Sequence, residues 1–397
     1  MKSILISFTM LFVALVFNSC KAKSATAMNH ANVVDPLTEE ASIMVDDFDA
    51  DRTIQVALLL DTSNSMDGLI EQAKSRLWNI VNTLTTLRHS GEAPQIQIAL
   101  YEYGNDGLSE EDDYIRKIAP LTQDLDLISE KLFGLRTYGG SEYCGSVISK
   151  AHKSLDWDNK ESMKLIYIAG NEPFDQGSVH YVEAISDARK KDIYINTIFC
   201  GDKREGEETF WKDGADKGEG EYFHIDADKK VIYIATPYDD RITICNTRLN
   251  DTYLGYGVDG IRKKQAQSYQ DSNASSISEE NAVERTISKS KKSAYNNAHW
   301  DIVDKVAEDE SFLMNAKDEN LPKELQGKTL EEKKQIVQQK ADDRAAIQKE
   351  IGELSIKRQD YINVEMKKRG EGSSDDLGAA IESSILIIAK KNGFSQE

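Results

Sequence analysis

The chain has 397 residues, 40% of them hydrophobic and 29% charged, which is enough apolar material for one sizeable core plus a more polar region and too much for global disorder. Its 68 acidic residues against 49 basic ones leave a formal charge of -19. That field repels nucleic acid and anionic lipid surfaces, so neither is an expected partner.

The N-terminus carries the first local signal. Lys2 gives a positive start, Ile4 to Phe17 form an apolar run, and Ser19 precedes Cys20, the pattern of an export signal. The run is short for a mature membrane-spanning helix. Phe17-Asn18-Ser19-Cys20 resembles a relaxed bacterial lipobox, which implies acylation of Cys20 and membrane contact only through that lipid anchor. The expected location is the bacterial cell envelope, at the outer membrane facing the periplasm. Residues 21–50 read as a flexible tether that ends in Asp46-Asp47-Phe48-Asp49.

From Thr53 onward, β-rich runs alternate with helical stretches, predicting an α/β domain over residues 51–255 with a doubly wound, mostly parallel sheet. Ile54 to Leu60 is a nearly continuous apolar run, as a central strand covered on both faces requires, and it stops at Asp61. Leu69, Ala73, Leu77, Ile80, Val81 and Leu84 recur at helical spacing. Strands are then predicted over Ile96 to Tyr103, Tyr114 to Leu121, Lys164 to Ala169, Ile193 to Cys200 and Glu221 to Ile225. Helices are expected from Asp124 to Leu132, Val182 to Lys191 and Pro237 to Leu254.

Residues 256–320 read as a polar linker or irregular helical segment, since Arg262 to Ser293 is rich in Ser, Gln, Asn and Lys and poor in aliphatic side chains. Residues 321–397 read as a charged helical extension. Thr329-Leu330-Glu331-Glu332 has capping-box form, and Ile347, Ile351, Leu354 and Tyr361 continue at heptad-like spacing. Arg344 and Arg358 interrupt that seam and favour a hairpin or small bundle. Leu377, Ile381, Ser384, Ile385 and Ile388 form a last amphipathic helix that stops at Gly393. The extension is read equally as a lid on the sheet domain or as a separate partner surface.

The chemistry concentrates at Asp61-Thr62-Ser63-Asn64-Ser65-Met66, at the carboxyl end of the first strand and the entry to the first helix. Ligands of open α/β sheets collect in that crevice. One carboxylate and two hydroxyls at alternate positions offer hard oxygen atoms suited to magnesium or manganese. The motif resembles the D-x-S-x-S element of the von Willebrand factor type A family, whose metal-ion-dependent adhesion site it opens. The family's second loop brings a Thr after paired glycines, and here Gly139-Gly140 precede Ser141, with Thr137 in reserve. Its third strand commonly ends in Asp-Gly-Glu-Pro, whereas this chain has Gly170-Asn171-Glu172-Pro173, so Asn171, Glu172 or Glu142 of the second loop become the substitute oxygen donors.

The resemblance implies that Ser63, Ser65 and Ser141 coordinate Mg2+ or Mn2+, that Asp61 holds it through water, and that a protein partner completes the site with an Asp or Glu. The expected function is then an adhesion or scaffold module of the envelope. The alternative is a metal-free envelope scaffold acting through the C-terminal helices. An enzyme is not expected, because no GxSxG elbow, HExxH pair or phosphate-binding loop occurs. In a fold of this family Cys144 and Cys200 both lie at the rim of the sheet, which makes them the preferred disulfide pair, with two unpaired thiols as the other possibility.

Overall fold

Strand β1 (Thr53–Asp61) is buried along its whole length, and its side chains alternate between two cores. Ile54, Val56, Leu58 and Leu60 enter one core and Ala57 and Leu59 the other, as a central strand covered on both faces demands. This is seen in a computed structural model that describes residues 52–158, 162–369 and 376–396. The export signal, Cys20 and the tether of residues 21–50 lie outside the described residues.

After β1 come helix α1 (Asp67–Thr85), β2 (Leu87–His89), β3 (Gln95–Tyr103), β4 (Ile115–Thr122), α2 (Leu125–Gly134) and α3 (Cys144–Ser154). Then follow β5 (Met163–Gly170), α4 (Tyr181–Arg189), β6 (Ile193–Cys200), α5 (Lys203–Glu208), α6 (Trp211–Lys217) and β7 (Glu219–Ile225). Among the described residues, six strands join one sheet in the order β4-β3-β1-β5-β6-β7, parallel except for the antiparallel edge strand β4. Helices α1 and α2 cover one face, and α3, α4 and the Trp211 end of α6 cover the other. The architecture is therefore the α/β, doubly wound, mostly parallel sheet that the hydrophobic pattern predicts. The chain passes from β1 to β3 on one side and returns to β5 on the other, so a crevice opens at the carboxyl end of β1.

The rest of the chain is helical: α7 (Asp239–Asn250), α8 (Gly257–Ile277), α9 (Glu279–Lys289), α10 (Ile302–Glu308), α11 (Phe312–Asn315), α12 (Leu330–Arg369) and α13 (Leu377–Lys391). Strand β8 (Phe394–Gln396) ends it, antiparallel to β2. The stretch Arg262 to Ser293, a linker by composition, is thus mostly α8 and α9. Its composition misleads because its buried contacts are ionic: Arg285 and Lys289, 1% and 0% exposed, pair with Asp271 at 2.6 and 2.9 Å.

Helix α12 is continuous over 40 residues. Its capping box is reciprocal, with Glu332 N donating to Thr329 Oγ1 at 3.3 Å and Thr329 N donating to Glu332 Oε2 at 2.8 Å. Arg344 and Arg358 do not break it into a hairpin or bundle. Arg344 is buried against Asp301 and Asp304, at 2.8 Å from each, and Arg358 against Asp239 and Glu284, so both guanidinium groups anchor the helix to the body. The last helix, α13, joins the core under α1, and Ser384 Oγ donates to Asn196 Oδ1 at 2.6 Å. Gly393, at φ +77°, ends it in the left-handed conformation that glycine accepts freely.

Candidate metal centre

Asp61 is the last residue of β1, in register with Tyr103 of β3, while Leu60 pairs with Ala169 of β5. The carboxyl ends of three strands therefore lie level. The turn after β1 is shaped by its own carboxylate, since Ser63 N donates to Asp61 Oδ1 at 2.7 Å. Ser63 Oγ and Ser65 Oγ stand 3.3 Å apart. The second loop is stitched onto this turn by backbone bonds, Tyr138 N to Thr62 O at 2.9 Å and Asn64 N to Gly139 O at 3.0 Å. Gly140 lets the two chains touch: at φ +144°, a β-carbon there would stand 1.7 Å from Gly104 O and 3.0 Å from Ser63 Cβ. Ser141 follows at once, half-buried.

The other residues named from the sequence divide. Asn171 Nδ2 donates to Ser65 Oγ at 3.2 Å, bringing the end of β5 into the cluster. Glu142 is 4% exposed and lies beside Asp61: a β-carbon on Gly104 would be 2.7 Å from Glu142 Cγ and 2.8 Å from Asp61 Oδ1. Thr137 instead bonds Asp67, and the Glu172 carboxylate accepts from Gln176 Nε2 at 3.1 Å. Gly104 and Asn105 were not singled out from the sequence, though a glycine directly after a strand is a recognisable signal of close backbone approach. Asn105 Nδ2 donates to Arg136 O at 2.9 Å and so ties the end of β3 to the second loop.

Burial raises the Asp61 carboxyl well above the usual carboxylate range, and the neighbouring Glu142 adds to the effect. Burial raises Glu142 as well. Three acceptors in this cluster, Asp61 Oδ2, Glu142 Oε2 and Asn171 Oδ1, are buried with no hydrogen-bond donor. Buried acceptors without donors are costly, and a cation is what such oxygens suit. Among the described residues no group of three or more His, Cys, Asp or Glu side chains is placed to hold a metal, and the oxygens gathered here are a mixed set of carboxylate, hydroxyl and amide groups. Such hard oxygens fit magnesium or manganese.

Residues 55–231 match the profile of the von Willebrand factor type A domain. The chain contains a von Willebrand factor type A domain. Among solved structures it is similar to the conserved hypothetical protein BatB from Bacteroides thetaiotaomicron, at 17% identity over 44% of this chain and 90% of that one, with a TM-score of 0.34. It is similar to an aerotolerance-related membrane protein from Bacteroides fragilis at 19% identity, over 44% of this chain and 93% of that one, with a TM-score of 0.30. A third is proximal thread matrix protein 1 of the mussel byssus, with a zinc-occupied MIDAS motif, at 16% identity and a TM-score of 0.35. The similarity covers 45% of this chain and 43% of the mussel protein, so this chain spans less than half of that protein's length. No curated protein matches the chain.

The preferred disulfide between Cys144 and Cys200 is not formed, and the alternative of unpaired thiols holds. Cys144, Cys200 and Cys245 are all free. Cys144 packs in the core under α3 and α4, whereas Cys200 packs against the core on the opposite face of the sheet, so the sheet itself separates them. Burial pushes both thiols well above their usual range, which keeps them protonated and poorly nucleophilic.

Proposed function

We propose that this von Willebrand factor type A domain is a protein-binding module of the bacterial cell envelope, which engages an Asp or Glu of its partner through a divalent cation, Mg2+ or Mn2+. One observation carries the reading: the turn holding Asp61, Ser63 and Ser65 is bonded directly to the loop holding Ser141, at the carboxyl rim of the sheet, where buried oxygen acceptors lack donors. The ligands would be the hydroxyls of Ser63, Ser65 and Ser141 together with the Asp61 carboxylate. When bound, the cation supplies an electrophilic position for an external carboxylate.

The chain's own residues prepare that position. The Ser63 amide fixes Asp61 Oδ1 and leaves Oδ2 free, and the Asn171 amide orients the Ser65 hydroxyl by donating to it. Gly140 brings the second loop within contact of Ser63. The module acts by binding and not by catalysis. Its membrane attachment is the lipid on Cys20, at the outer membrane facing the periplasm, and nucleic acid has no part in it.

The test is affinity capture from envelope membranes with the full chain, in magnesium and in EDTA, using wild type and Asp61→Ala. A partner held by wild type in magnesium, and lost both in EDTA and with Asp61→Ala, is the expected result. A partner that stays bound in EDTA and to Asp61→Ala overturns the reading.

A further inference from the structure

Position 170 ends β5 beside Asp61, yet it has no room for a ligand. A β-carbon on Gly170 would stand 2.5 Å from the Tyr103 hydroxyl and 3.1 Å from Asp61 Oδ2. Tyr103 cannot give way readily, because it is fully buried and its hydroxyl donates to Ala169 O at 3.0 Å. The space that a longer side chain would need is already occupied.

The second loop offers what the end of β5 lacks. Glu142 enters from the second loop, is 4% exposed, and leaves Oε2 without a partner. The bare α-carbon of Gly104, at φ +76°, is what allows the approach, since a β-carbon there would fall 2.7 Å from Glu142 Cγ and 2.8 Å from Asp61 Oδ1. A cation between two carboxyl groups so placed stabilises both of them as buried anions. Asp61 Oδ2 and Glu142 Oε2 are both buried without a hydrogen-bond donor, which leaves one oxygen of each carboxyl group open to a cation.

We infer that Glu142 is the second carboxylate of the cation site, so that the ligand which the end of β5 cannot supply is delivered by the second loop. This rests on the metal reading above. Glycine at 170 then marks a relocated ligand and not a lost one. It also means that the second loop contributes two adjacent donors, Ser141 and Glu142, and that ion affinity depends on how firmly Gly139 and Gly140 hold that loop to the first.

The test is calorimetric titration of the metal-free full chain with Mn2+, for wild type, Glu142→Gln, and Glu142→Gln combined with Gly170→Asp, with the metal-free thermal midpoint of each recorded. Glu142→Gln is expected to weaken Mn2+ roughly tenfold or more. Its metal-free midpoint should stay close to that of wild type, because the substitution keeps the shape of the side chain. The double variant is expected to stay weak and to melt earlier, since Gly170→Asp has no space. Should Glu142→Gln not fold, Glu142→Asp keeps the charge but withdraws the carboxylate by one carbon; weaker Mn2+ binding by it supports the inference, and unchanged binding overturns it. Wild-type affinity in Glu142→Gln, or its recovery in the double variant, overturns the assignment of Glu142 alone. An absence of saturable Mn2+ heat with wild type overturns the metal reading itself, and this inference with it.

Discussion

At Gly140 the backbone has φ +144°, and a β-carbon would lie 1.7 Å from the carbonyl oxygen of Gly104, with Ser63 Cβ behind it. Neither neighbour is the end of a flexible side chain, so a methyl group there forces the second loop off the first. Gly140→Ala should therefore cost about 3 kcal/mol or more, combining backbone strain with overpacking. Gly91, at φ +88° with nothing within 4 Å, isolates the strain alone, and Gly91→Ala should cost about 1 kcal/mol. Denaturant unfolding of the two variants measures the difference, and equal costs would mean that the loops are not in firm contact. At this scale the sequence was informative wherever ligands are sequence neighbours: Asp61, Ser63 and Ser65 sit between an apolar run and a helical repeat, so their shared position could be deduced. Glu142 could be named only as one of several candidates, because its nearness to Asp61 depends on Gly104, in a third segment. The cysteines show the same limit. Cys144 and Cys200 were placed by strand and loop ends, but alternation along β6 puts Ile198 and Cys200 on one face, while Phe199 shares the other with Cys144.

The elements that were easiest to read bury apolar faces; those misread bury charges. Helices α8 and α9 meet around Asp271, which accepts from Arg285 Nε at 2.6 Å, from Lys289 Nζ at 2.9 Å and from Asn250 Nδ2 at 2.8 Å. Arg285 also pairs with Asp126 of α2 at 2.8 Å, which ties these helices to the sheet domain. No apolar periodicity records such contacts. Asp271→Ala leaves two buried cations facing Asp126 alone and should destabilise the protein by about 3–5 kcal/mol. Burial already draws the Lys289 ammonium down from the usual 10.5 to about 8, against the opposing pull of Asp271. A folded value below the unfolded one means that the unfolded chain takes up this proton first, so stability is lost as pH falls through that window. Without Asp271 the window extends further down, and the deficit of Asp271→Ala should be smaller at pH ~9 than at pH ~7. Urea unfolding of both proteins at the two pH values decides it, and a deficit that does not shrink at the higher pH would contradict the argument.

Across the whole molecule, the profile match ends at residue 231, but the sheet face under α1 is completed by residues far beyond it. Helix α13 places Leu377, Ile381, Ile385 and Ile388, each 0–1% exposed, in the same core as Leu58, Leu77 and Tyr167. Arg76 of α1 binds Asp376 at 2.6 Å, and β8 pairs with β2 immediately beyond the end of α1. The amphipathic character of this helix was plain in the sequence. Its docking site was not, because nearly 300 residues separate Arg76 from Asp376 and nothing local in either segment records the pairing. Four such side chains at about 2 kcal/mol each amount to about 8 kcal/mol of burial, comparable with the whole stability of about 5–15 kcal/mol typical of a domain. Of the two readings of the extension, this helix follows the one that packs it on the sheet domain, as part of the core and not as a free partner surface. A chain ending after Arg369 should lose cooperative thermal unfolding by circular dichroism and become sensitive to proteolysis throughout β1 to β7, with cation binding lost as a consequence. If that truncated chain instead melts cooperatively within a few degrees of the full chain, α13 contributes little to the fold and its burial has been overvalued.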